Sequence, residues 1–241
     1  MSASTFSERL EFRLSLARPA LRQCAARMWD SASPRLIYPA YLHMMHMVVR
    51  SAVPLLEAAA EVAGRLRDDP LGPILASYFA DHAGEERGHD GWLIADLAAT
   101  GTALADPGGC FPPSCVAEMV GAQYYWLRHF HPVTLIGHVA AMETLPPPPG
   151  FAATLQEMTG YPKAAFTAIR RHARLDIAHA RDLYRLIDRL PLSPAHEAAI
   201  SASALHTIER GIDILAEIAV SASDSSAMPA ASIDLLYHEI A

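Results

Sequence analysis

Two histidines and an aspartate share one face of a predicted helix in the segment RRHARLDIAH. His172, Asp176 and His179 stand there at positions i, i+4 and i+7. At 3.6 residues per turn, the second and third side chains point within about 40° of the first. Imidazole nitrogens and a carboxylate oxygen that point the same way are suitable ligands for a metal ion. The alternative is a solvated helix face, or a core histidine held by Asp176.

A second carboxylate and imidazole pair occurs in the segment EERGHDGW. Glu86 and His89 stand at i and i+3, the spacing that brings both side chains to one ion in helical carboxylate-metal bundles. The motif alone is common, but its apolar surroundings favour a ligand role, because an unpaired buried carboxylate is costly. Glu85 competes with Glu86 for this role. His82, seven residues before His89, is a candidate for a supporting residue.

One strongly apolar segment, HPVTLIGHVAAMETL, contains a single carboxylate, Glu143. A lone glutamate in such a helix needs a partner. The alternative is that Glu143 lies at the helix end and faces water. His131 and His138 in the same segment are alternative ligands, but we expect each to be a hydrogen-bonded histidine of the core or its edge.

Three predicted helices thus offer three carboxylates and three imidazoles as metal ligands: Glu86, His89, Glu143, His172, Asp176 and His179. Mixed nitrogen and oxygen ligation suits iron or manganese better than zinc. His172 and His179 are about 10.5 Å apart along a helix axis, which suits two ions about 3.5 to 4 Å apart. We therefore assign Glu86, His89 and His172 to a first ion and Glu143, Asp176 and His179 to a second. One glutamate, Glu86 or Glu143, is shared, and the three carboxylates are the expected catalytic groups.

The elements that must position these residues are predicted to be helices, because apolar residues recur at spacings of three and four and no segment alternates like a strand. We predict an all-α bundle of seven main helices with a metal site in its core. Their approximate bounds are Thr5 to Trp29, Tyr38 to Leu66, Leu71 to Leu97, Ser114 to Phe130, Pro132 to Leu145, Pro162 to Leu190 and Pro194 to Ser221. Residues 1–241 are interpreted as one domain, in which residues 222–241 form a weakly patterned tail.

The composition of the chain limits the kinds of molecule that we expect it to bind. The 241 residues are 51% hydrophobic, which is ample for a core, and carry a net charge of -7 without a basic block, which argues against nucleic acid. Charged residues interrupt every long apolar run, so we predict neither a membrane span nor an export signal, and expect a cytoplasmic protein. Three scattered cysteines do not suggest a disulfide framework. We expect a small-molecule substrate, and leave a homodimer open.

With these residues, the chain resembles the heme-oxygenase-like diiron oxidases and oxygenases, whose seven-helix fold is shared with heme oxygenase and the TenA proteins. The resemblance covers most of the chain and depends on EERGHDGW, Glu143 and the pattern H-x3-D-x2-H. It implies two Fe(II) ions per chain, with manganese as an alternative, and dioxygen as a co-substrate. It also implies oxidation, N-oxygenation or fragmentation of an aliphatic amino acid, amine or fatty acid, often in natural-product metabolism. The sequence departs from some members at His82, where they place the first carboxylate.

Two other functions stay open. A TenA-like hydrolase of thiamin-related pyrimidines requires a cysteine nucleophile on a core helix, whereas Cys110 and Cys115 lie in or just after an irregular segment. A metal-free helical binding protein requires the six candidate ligands to satisfy one another.

The sequence also offers candidate residues for binding the substrate. Polar and aromatic residues crowd parts of two helices, and we take His43, His46, Arg50 and Tyr124 as candidates, with core packing as the alternative. An arginine near the site would indicate a substrate carboxylate, because a guanidinium binds one with two parallel hydrogen bonds. Arg50, Arg87 and Arg174 are the candidates for this contact.

Overall fold

A computed structural model describes residues 4–102, 109–144 and 147–225, the last four of these by their backbone only. The described chain is all-α, as predicted. Its α-helices are α1 (Phe6–Ser31), α2 (Pro34–Val49), α3 (Ala52–Arg65), α4 (Gly72–Glu86), α5 (His89–Ala99), α6 (Ser114–His129), α7 (Leu135–Glu143), α8 (Phe151–Thr159), α9 (Thr167–Ile187) and α10 (Pro194–Ser225). Short 3-10 turns, Pro132–Thr134 and Lys163–Phe166, precede α7 and α9.

Helix starts follow the local chemistry of the sequence. Thr5 caps α1 by accepting a hydrogen bond from the amide of Glu8, whose carboxylate accepts one from the amide of Thr5. α2 and α10 begin at Pro34 and Pro194, where a ring without an N–H is tolerated. The starts of α1 and α10 confirm the prediction, whereas α2 begins four residues before the predicted Tyr38.

The prediction of seven helices is wrong in three places. Residues 38–66 form α2 and α3, because Pro54 has no N–H to donate to the carbonyl of Arg50 and the helix is interrupted there. Residues 71–97 form α4 and α5, which meet at Gly88 with φ at 81°. Such a left-handed turn breaks a helix and favours glycine. The third departure is α8, a helix that was not predicted and that lies between the prolines at 147–149 and Pro162.

α10 is the longest helix and packs against α1 and α7. The contact with α7 is closest at Gly137, where a Cβ atom would lie 2.0 Å from the carbonyl oxygen of Ile200 and 2.8 Å from the amide nitrogen of Ala204. Only glycine fits this approach of backbone to backbone. It fixes α7, and with it His138 and Glu143, against a rigid support.

The predicted tail is only partly described. Residues 222–225 continue α10, and residues 226–241 lie outside the described residues. Among the helices described, none combines the length and apolar character that crossing a bilayer requires.

Candidate metal centre

Four helices bring the candidate ligands together inside the bundle. α4 contributes His82 and Glu86, α5 contributes His89, and α7 contributes Glu143. The three residues of the H-x3-D-x2-H pattern all lie on α9, which is continuous over the whole pattern. Glu86, His89, Glu143 and Asp176 are buried, so the sequence has placed several ionisable groups in the interior.

The first group of ligand atoms comes from Glu86, His89 and His172, one atom of each lying within 4.8 Å of the others. His89 Nδ1 is 2.9 Å from Glu86 Oε2, and the rings of His89 and His172 meet edge to face at 5.2 Å. His172 Nδ1 donates a hydrogen bond of 3.1 Å to the carbonyl of Ala168. This bond leaves Nε2 of His172 unprotonated and suitable as a metal ligand.

The second group comes from His82, Glu86, Glu143 and His179, again with one atom of each within 4.8 Å of the others. His179 Nδ1 lies 3.2 Å from Glu143 Oε2 and 3.9 Å from Glu86 Oε1, and His82 Nε2 lies 3.5 Å from Glu143 Oε1. Glu86 belongs to both groups. The two groups are therefore adjacent and share one carboxylate.

The i, i+3 spacing suggested that Glu86 and His89 share one helix, but they do not. Glu86 is the last residue of α4 and His89 the first of α5, with the left-handed Gly88 between them. The two side chains nevertheless meet, because this turn brings the start of α5 back towards the end of α4. A glycine at this position is thus part of how the ligand pair is built.

Glu85 and Glu86 are separated by their exposure. The Glu85 side chain is 59% exposed at the rim, where it contacts His82 at 3.3 Å and His179 at 3.6 Å, whereas the Glu86 side chain is 9% exposed. Only Glu86 belongs to the groups of ligand atoms. His82, for which the sequence suggested a supporting role, supplies a ring nitrogen to the second group.

Asp176 lies in neither group. It is buried on α9 between His172 and His179 and lines the cavity beside the two groups. Burial, together with the charge of Glu143, raises the pKa of Asp176 to about 8. Burial is the larger cause, because a carboxylate removed from water is less stable in its charged form.

The pKa of Glu143 shows the opposite behaviour. Burial by itself would raise it, but hydrogen bonds from His179 and His82 lower the pKa of Glu143 to about 2. The hydrogen bond to Glu143 in turn raises the pKa of His179 to about 9. The two groups offer carboxylate oxygens and imidazole nitrogens, which are the donors that iron or manganese prefers. The residues present fit a bound metal of this kind.

A cavity of about 220 Å³ adjoins the ligand groups. Its walls are mainly apolar and come from α2, α3, α4, α5, α7 and α9. The polar groups among its described lining residues are Tyr41, Ser51, His82, Glu86, His138, Glu143, His172 and Asp176. The same described lining includes no arginine, lysine or cysteine. Any charged group of a bound molecule must therefore be neutralised at the ligand cluster.

The substrate candidates from the sequence are placed elsewhere. His43, His46, Arg50 and Tyr124 are not among the residues that line the cavity. On α2 the cavity is lined instead by Tyr41, Met45, Val48 and Val49, which lie on a different face of the helix from His43 and His46. Arg50 donates to the carbonyl of Cys110 at 2.9 Å, and the guanidinium of Arg128 lies over the ring of Tyr124. Arg87 pairs with Glu57, and Arg174 is exposed.

Cys115 is buried on α6 and donates a hydrogen bond of 3.0 Å to Glu217. Burial raises the pKa of its thiol to about 12, so it is not activated as a nucleophile. This placement gives no support to the TenA-like alternative.

His138 is a buried histidine that the pattern of the sequence did not assign to the ligands. Its Nδ1 lies 2.9 Å from Thr207 Oγ1, as expected for a hydrogen-bonded core histidine. Burial, with a smaller contribution from neighbouring His206, lowers its pKa from 6.5 to about 4, although Glu143 acts the other way.

This shift predicts an acid sensitivity of the folded protein. Between pH 6.5 and 4 the unfolded chain binds a proton that His138 in the folded chain does not, so stability falls as the pH falls through this window. The loss amounts to about 3 kcal/mol at the acid end. Urea unfolding of the chelated protein, compared with His138→Gln at each pH, measures it. Equal pH dependence in the two proteins would contradict the expected contribution of His138.

Solved structures with the same fold come from three bacteria. A protein of unknown function with a heme oxygenase-like fold from Shewanella denitrificans has a TM-score of 0.77 at 15% identity, covering 95% of this chain and 98% of its own. A TenA homologue from Pseudomonas syringae has a TM-score of 0.66 at 14% identity, with 90% and 93% covered. A CADD-like protein of unknown function from Nostoc punctiforme has 0.64 at 17%, with 93% and 96% covered. These likenesses show a heme-oxygenase-like fold.

The sequence itself supplies the remaining identification. No curated protein matches it. A family model for iron-containing redox enzymes matches residues 40–212, which include every ligand candidate described above. By this match over most of its length, the chain belongs to the family of iron-containing redox enzymes.

Proposed function

We propose that the protein is a non-heme diiron oxidase or oxygenase that uses dioxygen to oxidise a small, mainly aliphatic substrate. The observation that carries this proposal is the sharing of Glu86 by two adjacent groups of nitrogen and oxygen ligands. A carboxylate between two such groups is what a pair of ions about 3.5 to 4 Å apart requires. Asp176, on the same helix face as His172 and His179, is retained as a ligand for the second ion together with His82.

Two ferrous ions held in this way would supply the electrons that dioxygen activation needs. The remaining tasks belong to the chain. The hydrogen bond from His172 Nδ1 to the carbonyl of Ala168 orients that ring and sets its tautomer. Apolar side chains such as Leu55, Val139 and Ile169 line the adjoining cavity and exclude water from the substrate's reacting carbon.

The cavity narrows the class of substrate. Since its described lining has no arginine or lysine, a carboxylate on the substrate is neutralised at the metal centre and its imidazoles. A substrate with one charged head and an aliphatic body fits this arrangement better than an α-amino acid, which brings two charges. We therefore favour a fatty acid or an aliphatic amine.

Anaerobic reconstitution with ferrous iron tests the proposal. The chelated protein is expected to bind about two ferrous ions per chain. Protein purified without added metal is expected to contain iron or manganese and little zinc. The loaded protein is then mixed with dioxygen and with octanoic acid, octylamine or 2-aminooctanoic acid. We expect a transient visible absorption that depends on one of the first two compounds and is weaker with the amino acid.

Three results would contradict the proposal. Failure to bind iron would end it in favour of a metal-free helical protein, whose ligand candidates satisfy one another. Stoichiometric zinc that resists exchange would argue against a redox function. Iron uptake without dioxygen consumption in the presence of any aliphatic probe would remove the oxygenase assignment.

A further inference from the structure

A short chain of hydrogen bonds fixes the protonation of His138. Thr207 Oγ1 donates a hydrogen bond of 2.9 Å to the carbonyl of Ser203. A hydroxyl has one proton, and a carbonyl oxygen can only accept, so that proton is committed. The contact of 2.9 Å between Thr207 Oγ1 and His138 Nδ1 must therefore be one in which His138 Nδ1–H donates. His138 is held as the Nδ1–H tautomer, and its Nε2 carries a lone pair.

This lone pair belongs to a ring in the wall of the cavity. His138 lines the cavity, while its Nδ1 is directed away from it towards Thr207 on α10. Within the described part of the chain, Nε2 of His138 has no hydrogen-bond partner. This nitrogen is also not one of the buried polar atoms without a partner, so it is accessible beside the cavity that the ring lines. An accessible lone pair at a cavity wall can accept a hydrogen bond from a molecule that the cavity binds.

The position of the ring is set by the backbone. At Gly137 the backbone of α7 lies against Ile200 and Ala204 of α10, and Thr207 is buried about one turn beyond Ala204 on that helix. His138 is itself buried, and burial keeps it neutral at physiological pH. The cavity wall thus presents a fixed, uncharged acceptor at a place separate from the ligand groups.

We propose that His138 is a substrate-binding residue whose Nε2 accepts a hydrogen bond from an O–H or N–H group of the bound molecule. This inference rests on the proposed function in one respect, namely that the same cavity holds the substrate. The substrate would then have two polar contacts, one between its charged head and the metal centre and one with His138. The class of ligand is therefore a mainly aliphatic molecule that carries a hydroxyl, amide or amine hydrogen within its body.

Two isomers of equal size test the inference, 1-octanol, which donates a hydrogen bond, and heptyl methyl ether, which does not. Binding is measured on the full chain by calorimetry, both with its metal and after chelation. The wild-type protein is expected to bind the alcohol about 3- to 10-fold more tightly than the ether. His138→Phe should abolish this preference, and His138→Gln should keep part of it. Equal affinities in the wild type, or an undiminished preference in His138→Phe, would overturn the inference.

Two further variants separate recognition from structural support. Thr207→Val removes the oxygen that accepts from Nδ1–H, so the tautomer is no longer fixed and the preference should fall, whereas Thr207→Ser should restore it. Nitrogen-15 spectra of the histidines report the tautomer directly, and a protonated Nε2 in the wild type would also overturn the inference. His129→Phe, on the exposed end of α6 and outside the cavity lining, is the matched control and should change neither the preference nor the tautomer of His138.

The outcomes distinguish this inference from the proposed function. Binding of the two isomers is measured with and without metal, so it does not depend on iron uptake or turnover. If the protein takes up no iron but prefers the alcohol through His138, the diiron proposal fails and the cavity assignment stands. If iron uptake is normal and the preference is absent, the inference alone fails.

Discussion

Replacement of Glu86 by alanine is expected to leave the protein with almost no bound iron. Both groups of ligand atoms include this carboxylate, so its loss removes a donor from each ion at once. Removing a ligand of one ion only would be expected to spare the other in part, whereas losing a shared ligand weakens both. Iron counted by elemental analysis after anaerobic loading and desalting should fall from about two per chain to below about 0.2.

Glu85→Ala is the matched control for this experiment. It removes the same functional group from the neighbouring residue, whose side chain is largely exposed at the rim. The control should keep nearly all its iron. If Glu85→Ala loses iron and Glu86→Ala keeps it, the exposed glutamate is the ligand and the shared carboxylate has been assigned wrongly.

Asp176→Ala is expected to leave about one iron per chain and to abolish dioxygen consumption with substrate. A single ferrous ion can supply only part of the electrons that the reaction needs, so turnover should fall by at least about 100-fold even though half the metal remains. Iron counts and oxygen-electrode rates on the same preparation measure the two effects together. Retention of both ions and full turnover would show that Asp176 is not a ligand and would contradict its place in the dinuclear site.

His82→Ala tests whether the imidazole of His82 binds the second ion. The structure places His82 in the second group of ligand atoms and Asp176 outside it. We propose that both side chains bind the second ion, so His82→Ala, like Asp176→Ala, is expected to lose about one iron per chain. Loss of one ion from His82→Ala and of none from Asp176→Ala would leave His82 as a ligand and exclude Asp176.

The sequence carried much of this arrangement in its local patterns. The capping residues of α1 and the prolines that begin α2 and α10 act within a single turn, so they are visible without knowledge of the fold. The same is true of the H-x3-D-x2-H pattern, because α9 is regular over the whole of it. The helical class and the family followed from such features.

What the sequence could not provide depends on contacts between helices. Gly88 lies in a stretch whose helical periodicity continues on both sides, and only the packing of α5 shows that a left-handed turn interrupts it. His82 lies four residues before Glu86, but its approach to Glu143 requires α7 to be in place. The cavity face of α2 was misjudged for the same reason, since nothing local distinguishes Tyr41 and Met45 from His43 and His46.

The turn at Gly88 links metal binding to the shape of the cavity. Glu86 ends one helix and His89 begins the next, so an ion held by both would cross-link two helices that the chain connects through a left-handed glycine. The second segment, α5, also carries Leu93 in the cavity wall. Metal occupancy and substrate affinity are then thermodynamically coupled. By reciprocity, a substrate that favours the metal-bound orientation of α5 tightens the hold on the metal by the same factor.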